Sequence, residues 1–352
     1  MENMSVLRLA LVFAGCFLGA GYVSGQEMWQ YFGAFGLPGY CGLAIALTLI
    51  FLFGVMVIRL AQLTGHEETD RLMLPGNCRF LQIVIAGLEL IMMFAVVSVM
   101  TAGVGALLEQ LFSVSALIGS ILFAALVLTL ALFGLRSVVS AFSVSVPFLI
   151  AATIIFGLLS VLHPGVTAQT LPQNTNRLLG GFLGAAVNFA GYNSFMAVAI
   201  TAPFGKYVKS RRTAYLGVGL GTAGLVLVAL SVLAALSRFP DAPAQELPML
   251  FVASSLSPFG AYVYAVLLAA AMFGTALSSF VGAVHYLSEK ILLIRSHYKS
   301  SCIVFCLITF AASLFGFGDL IGVLYPLFGY CSIAFLVLMS IHFVMQIRKK
   351  RK

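Results

Sequence analysis

Apolar residues in this sequence run in blocks separated by short polar stretches. A bilayer core takes roughly 20 apolar residues per helix. Measured against that length, the blocks predict ten helices, near 5–35, 41–62, 80–109, 114–134, 139–162, 179–205, 213–236, 258–289, 300–316 and 320–347. The third and eighth are the longest, near 30 residues or about 45 Å, and both are expected to tilt. The second and third helices of each half are divided by a long loop (63–79 and 237–257), the fourth and fifth by a very short one (135–138 and 317–319). The ten therefore divide into two repeats of five, 1–162 and 177–347, with 348–352 as a basic tail. An odd number of helices per repeat forces the two into opposite orientations.

The basic residues fix the sidedness. With the N-terminus inside, the inner loops receive Arg8, Arg59, Arg71, Arg79, Arg136, Lys206, Lys209, Arg211, Arg212, Lys290, Arg295, Lys299 and the tail from Arg348 to Lys352. Only Arg177 and Arg238 fall outside. Seventeen of the 19 basic residues on one side is the charge asymmetry of an inner-membrane protein with both termini cytoplasmic.

Composition agrees. Of 352 residues, 61% are hydrophobic and 9% charged, against about 45–50% and about 25% in an average soluble domain. This excludes a soluble globular protein, a disordered tail and a secreted disulfide scaffold. The net charge of +8 belongs to the inner loops and the lipid surface, not to a nucleic-acid footprint. The six cysteines are scattered without a CxxC pair, and no nucleophile triad or metal-ligand cluster is visible. Neither an enzyme nor a transition-metal site is expected.

The chemistry gathers where helices are hard to maintain. Segment one carries Gly15, Gly19, Gly21 and Gly25 and then Gln26-Glu27. Glycine lowers helix propensity, and an ionisable residue at membrane depth is costly. The tripeptide Ala20-Gly21-Tyr22 recurs as Ala190-Gly191-Tyr192 in segment six, each followed closely by a small polar residue (Ser24; Asn193-Ser194). We expect both helices to be unwound there, as in inverted-repeat carriers. Freed carbonyls would hold a cation, and half-helix N-termini would favour a carboxylate. In segment eight, Thr275, Ser278 and Ser279 offer oxygens suited to a hard cation; back-bonding to the preceding turn is the alternative use. Glu27 and Glu89 are the acids well inside apolar segments and are candidates for a proton carrier or gate. Glu27 could equally line an outer vestibule, and Glu89 could tie segment three to a neighbour. Trp29 fits an outer aromatic belt or a gate.

Gly15-xx-Leu18-Gly19-Ala20-Gly21 together with Thr275-xx-Ser278-Ser279 resembles the leucine-transporter-type fold of the amino acid–polyamine–organocation superfamily. More narrowly, Gly19 through Glu27 and Phe32 through Gly36 resemble the bacterial YkvI-type membrane protein family. The resemblance implies an all-α integral membrane fold of ten helices, a 5+5 inverted repeat with helices 1 and 6 broken. It implies a Na+ site from the Gly15, Leu18 and Thr275 carbonyls with the Ser278 and Ser279 hydroxyls. It also implies a substrate site at Ala20, Gly21, Tyr22, Ser24 and Gly25 with Asn188, Ala190, Gly191, Asn193 and Ser194. Tyr22 replaces the asparagine that completes a second Na+ site in some relatives. Segment five has Ser140, Ser143, Ser145 and Pro147 but no lysine to stand in for Na+, as it does in some proton-coupled relatives.

The expected function is a secondary transporter working by alternating access. Its expected solute is small and amino-acid-like, zwitterionic or anionic. Na+ is the leading driving ion and H+ the alternative, with no cofactor beyond a bound Na+. A nutrient receptor on the same fold, binding without transport, is the rival reading. A channel would require more continuous polar stripes than the sequence offers.

Overall fold

The computed structural model describes residues 4–66, 68–133, 145–163, 175–208 and 210–351. Arg136, Lys209, Lys352, Ser140, Ser143 and the 135–138 linker lie outside the described residues.

Segment one becomes three pieces, α1 (Val6–Phe17), α2 (Ala20–Ser24) and α3 (Gln26–Tyr31). They are followed by α4 (Leu37–Thr64), α5 (Thr69–Met73), α6 (Arg79–Phe112), α7 (Ala116–Leu132) and α8 (Ser145–Leu162). The second half comprises α9 (Phe182–Thr201), α10 (Arg211–Arg238), α11 (Pro248–Leu256), α12 (Pro258–Lys290), α13 (Leu292–Ser296), α14 (Tyr298–Ser313) and α15 (Phe317–Arg351). Among the described residues, six helices are long and apolar enough to cross a membrane, and four shorter apolar helices accompany them. Together they fall on the ten predicted segments. Helix starts follow capping chemistry: Ser5 accepts from the Arg8 N–H, Ser210 from Thr213, and Ser257, just before Pro258, from Gly260.

Three expectations change. The sixth segment is not broken, because α9 runs without interruption from Phe182 to Thr201 and only then tightens into a 3-10 turn, Ala202–Tyr207. Its small and polar residues serve packing: a Cβ on Gly191 would stand 2.9 Å from the Gly329 carbonyl of α15, so glycine there lets two backbones approach. The long 237–257 loop contains α11, a buried helix packed on α8, α10 and α12. Finally, the basic tail continues α15 through Arg351.

The helices pack in a pattern that surrounds the break in segment one. α1 lies along α10, α12 along α6, and α9 between α4 and α15. The N–H of Met4 bonds the Tyr207 carbonyl, so the start of α1 and the end of α9 share one end of the bundle. At the other end, the Tyr264 hydroxyl, near the start of α12, donates to the Val23 carbonyl beyond the break.

Candidate functional site

The first helix is interrupted twice, each time for a local reason. At Leu18 (φ −80°, ψ 57°) the chain makes a tight turn in which the Gly19 N–H bonds the Phe17 carbonyl at 2.8 Å. That N–H would ordinarily bond Gly15, whose carbonyl is thereby released. At Gly25 (φ 90°) the backbone is left-handed, a conformation that favours glycine. Between the two interruptions α2 makes little more than one turn.

The turn at Gly25 redirects Glu27. By helical count Glu27 lies two turns past the break, yet its side chain folds back onto it: a Cβ on Gly21 would collide with Glu27 Oε1. The other carboxylate oxygen, Oε2, accepts the Tyr192 hydroxyl at 2.7 Å. Glu27 is 5% exposed.

Beside the break lies a cavity of about 350 Å³. Gly15, Leu18, Ala20 and Gly21 line it from segment one, Tyr192 and Asn193 from α9, Thr275, Ser278 and Ser279 from α12, and Tyr325 from α15. Glu27 completes the polar lining, and Val96, Met100 and Met196 supply apolar wall. Nothing stands within 4 Å of a Cβ placed on Gly15 or Gly19, so these glycines open onto space instead of gripping a neighbouring helix. The exposed members of the lining, Gly15, Ile200 and Ser278, lie toward the N-terminal end of α1, whereas Glu27, Tyr192 and Tyr325 are buried.

The opposite side is sealed. Tyr22, Tyr31, Phe32, Phe189, Tyr192 and Tyr325 form a chain of ring contacts with centroids 4.9–6.3 Å apart. Past them, Tyr31 donates to Asn188 Oδ1 (3.1 Å) and Asn188 Nδ2 to the Pro326 carbonyl (2.8 Å). Pro326 has no N–H to offer the Gly322 carbonyl four residues earlier; Asn176 Nδ2 donates to it instead, at 2.6 Å. Gln30 Nε2 donates to the Gly318 carbonyl (2.9 Å), and the Gly318 N–H donates to Glu246 Oε2 (2.6 Å). Glu246 thereby caps the first turn of α15, a favourable place for negative charge. Burial pushes its carboxyl above the ordinary value, with the backbone bond from Gly318 opposing and Asp319 and Glu109 reinforcing.

The candidate Na+ residues Gly15, Leu18, Thr275, Ser278 and Ser279 all border the cavity, with one pair engaged internally: Ser278 Oγ donates to the Thr275 carbonyl at 3.0 Å. Of the candidate substrate residues, Ala20, Gly21 and Asn193 border it. The others are used elsewhere. Tyr22 is fully buried and donates to the Leu225 carbonyl of α10 (2.8 Å). Ser24 bonds back to Gly21 (3.1 Å). Gly25 packs on Val232, Pro248 and Met249. Asn188 belongs to the seal, Ala190 and Gly191 to the packing of α9, and Ser194 is buried with its hydroxyl unpartnered. Glu89 is away from the cavity, near Thr69 and Asp70 of α5, with its Oε1 buried and unpartnered. Trp29 is buried against Gly33 and is not part of an outer belt. Sequence reasoning missed Tyr192 and Tyr325; the repeated tripeptide ending at Tyr192 was the available signal for the first.

No protein-family model matches the chain. It is 26% identical over 346 residues to the uncharacterised membrane protein YkvI of Bacillus subtilis (strain 168), across 94% of each chain. It is 28% identical over 360 residues to the uncharacterised protein YyaD of the same organism, across 96% of each. The resemblance read from Gly19 to Gly36 thus extends along nearly the whole chain. Among solved structures, inward-facing Mhp1 aligns with a TM-score of 0.60 at 15% identity, over 96% of this chain and 76% of that one. MhsT in complex with L-phenylalanine aligns with a TM-score of 0.57 at 18% identity, over 97% and 89%. These likenesses show the leucine-transporter-type fold, in an all-helical membrane protein.

Proposed function

We propose that the protein is a secondary active transporter of the cytoplasmic membrane, with both termini in the cytoplasm, carrying a small solute by alternating access. The observation that supports this most strongly is the cavity of about 350 Å³ at the interrupted first helix, with exposed lining residues on one side and closed on the other by aromatic contacts and hydrogen bonds. Its size, near the lower end of the roughly 300–1,000 Å³ of small-molecule sites, suits a small solute. Irregular backbone at membrane depth persists where it lines a polar cavity.

Na+ is the proposed driving ion, held by the Gly15, Leu18 and Thr275 carbonyls with the Ser278 and Ser279 hydroxyls. The released Gly15 carbonyl supports this. Binding would require Ser278 to turn from the Thr275 carbonyl toward the ion.

Counterflow in proteoliposomes tests the reading. Labelled solute should accumulate against unlabelled solute and respond to an imposed Na+ gradient. Binding without exchange would instead make the protein a receptor, and uptake following a proton gradient alone would replace Na+ with H+.

A further inference from the structure

The expected solute carried a carboxylate, placed by the half-helix N-terminus at the break. That place holds a carboxylate of the protein's own. Glu27 folds back across Gly21 so closely that no side chain could replace the glycine hydrogen without displacing it. A second carboxylate brought to the same turn would meet like charge in a poorly hydrated site.

The surroundings of Glu27 point the same way. The Tyr192 hydroxyl donates to Oε2, and no Lys, Arg or His lines the cavity. Among the described residues, no basic side chain is paired with Glu27. A buried carboxylate with one neutral donor is costly, and a cation offsets that cost. The Tyr192 and Tyr325 rings, packed against each other with centroids 4.9 Å apart, line the cavity beside it, and aromatic surface favours an organic cation. The adjoining wall is apolar, with Val96, Met100 and Met196.

We infer that the solute is a small organic cation, a protonated primary amine on an apolar body without a free carboxylate, whose ammonium group pairs with Glu27 beside Tyr192 and Tyr325. This rests on the proposal that the cavity is the solute site. It reverses the charge preference expected from helix termini alone. An ammonium group has three donors and no acceptor, so the Glu27 carboxylate is complementary to it.

The test uses the full-length protein in detergent at fixed pH and Na+ concentration. Matched pairs of amine and parent amino acid are titrated while the melting temperature is followed: phenethylamine and phenylalanine, tyramine and tyrosine, isoamylamine and leucine. At least one amine should stabilise the protein saturably, with its parent at least tenfold weaker. Glu27→Gln should weaken that amine at least tenfold, and Glu27→Asp should retain part of the affinity. Parent amino acids binding as well as the amines, no amine binding, or unchanged amine affinity in Glu27→Gln would each overturn the inference. Should Glu27 variants not fold, discrimination within the pairs by the unaltered protein decides. Amine binding without counterflow would remove the transport reading and leave this one standing. Counterflow of amino acids would do the reverse.

Discussion

Tyr192 donates its hydroxyl to Glu27 Oε2 at 2.7 Å, joining two residues 165 positions apart. One follows the interruption of the first helix, and the other ends the repeated Ala-Gly-Tyr tripeptide on the uninterrupted α9. The bond ties a short, irregular stretch of backbone to a continuous helix. A hydrogen bond to a charged group is worth about 1.5–3 kcal/mol. Tyr192→Phe should therefore lower stability by about that amount, read as a fall in melting temperature. An unchanged melting temperature would mean that the bond does not hold α2 and α3 in place.

The two kinds of glycine in the first helix should separate cleanly. Gly25 has φ of 90°, and a Cβ there would stand 3.2 Å from Met249 Cγ and 3.3 Å from Val232 Cγ1. Alanine there should cost about 1–2 kcal/mol from backbone strain alone. Gly19 has φ of −76° and open space beside it, so Gly19→Ala should change stability by less than about 0.5 kcal/mol. Denaturant or thermal unfolding in detergent reads both variants.

Glu246 should give the folded protein a pH dependence of known sign. Its carboxyl lies above the ordinary value of 4.5 in the folded state, so the folded state binds a proton more tightly than the unfolded one. The associated stability is fully present below that ordinary value and is lost as pH rises through the folded one. Melting temperature measured upward from about pH 4.5 should contain a falling component that Glu246→Gln removes. A component rising with pH and lost in the same variant would mean that the cap on α15 outweighs burial, and would contradict this account.

The two vicinal serines of α12 should differ. Ser278 already donates to the Thr275 carbonyl at 3.0 Å, whereas Ser279 borders the same cavity. Ser279→Ala should weaken Na+-dependent stabilisation about tenfold, close to 1.4 kcal/mol. Full stabilisation in that variant would favour a proton-driven cycle.

Much of this architecture was legible in the sequence because lipid imposes a length on every apolar run. The break in the first helix was legible too, since four glycines and a polar run could not continue a membrane helix without interruption. The sixth segment misled because close packing and unwinding draw on the same small and polar residues. Asn188 is satisfied by Tyr31 and the Pro326 carbonyl, partners distant in sequence, and Gly191 by the approach of α15. Tyr22 occupies the position expected of a ligand, but its hydroxyl finds the Leu225 carbonyl of the helix alongside. The direction of Glu27 was invisible for another reason: helical periodicity carries it away from the break, and the left-handed turn at Gly25 returns it.

Alternating exposure of the cavity is tested most directly by thiol labelling at position 279. In a background with Cys16, Cys41, Cys78, Cys302, Cys306 and Cys331 replaced, Ser279→Cys is treated with a membrane-impermeant reagent in right-side-out and inside-out vesicles. The account predicts labelling from the side that carries the N-terminus of α1, and from the opposite side only in a second population raised by a solute gradient. Labelling from both sides at once would indicate a channel, and labelling confined to one side under every gradient would contradict a transporter.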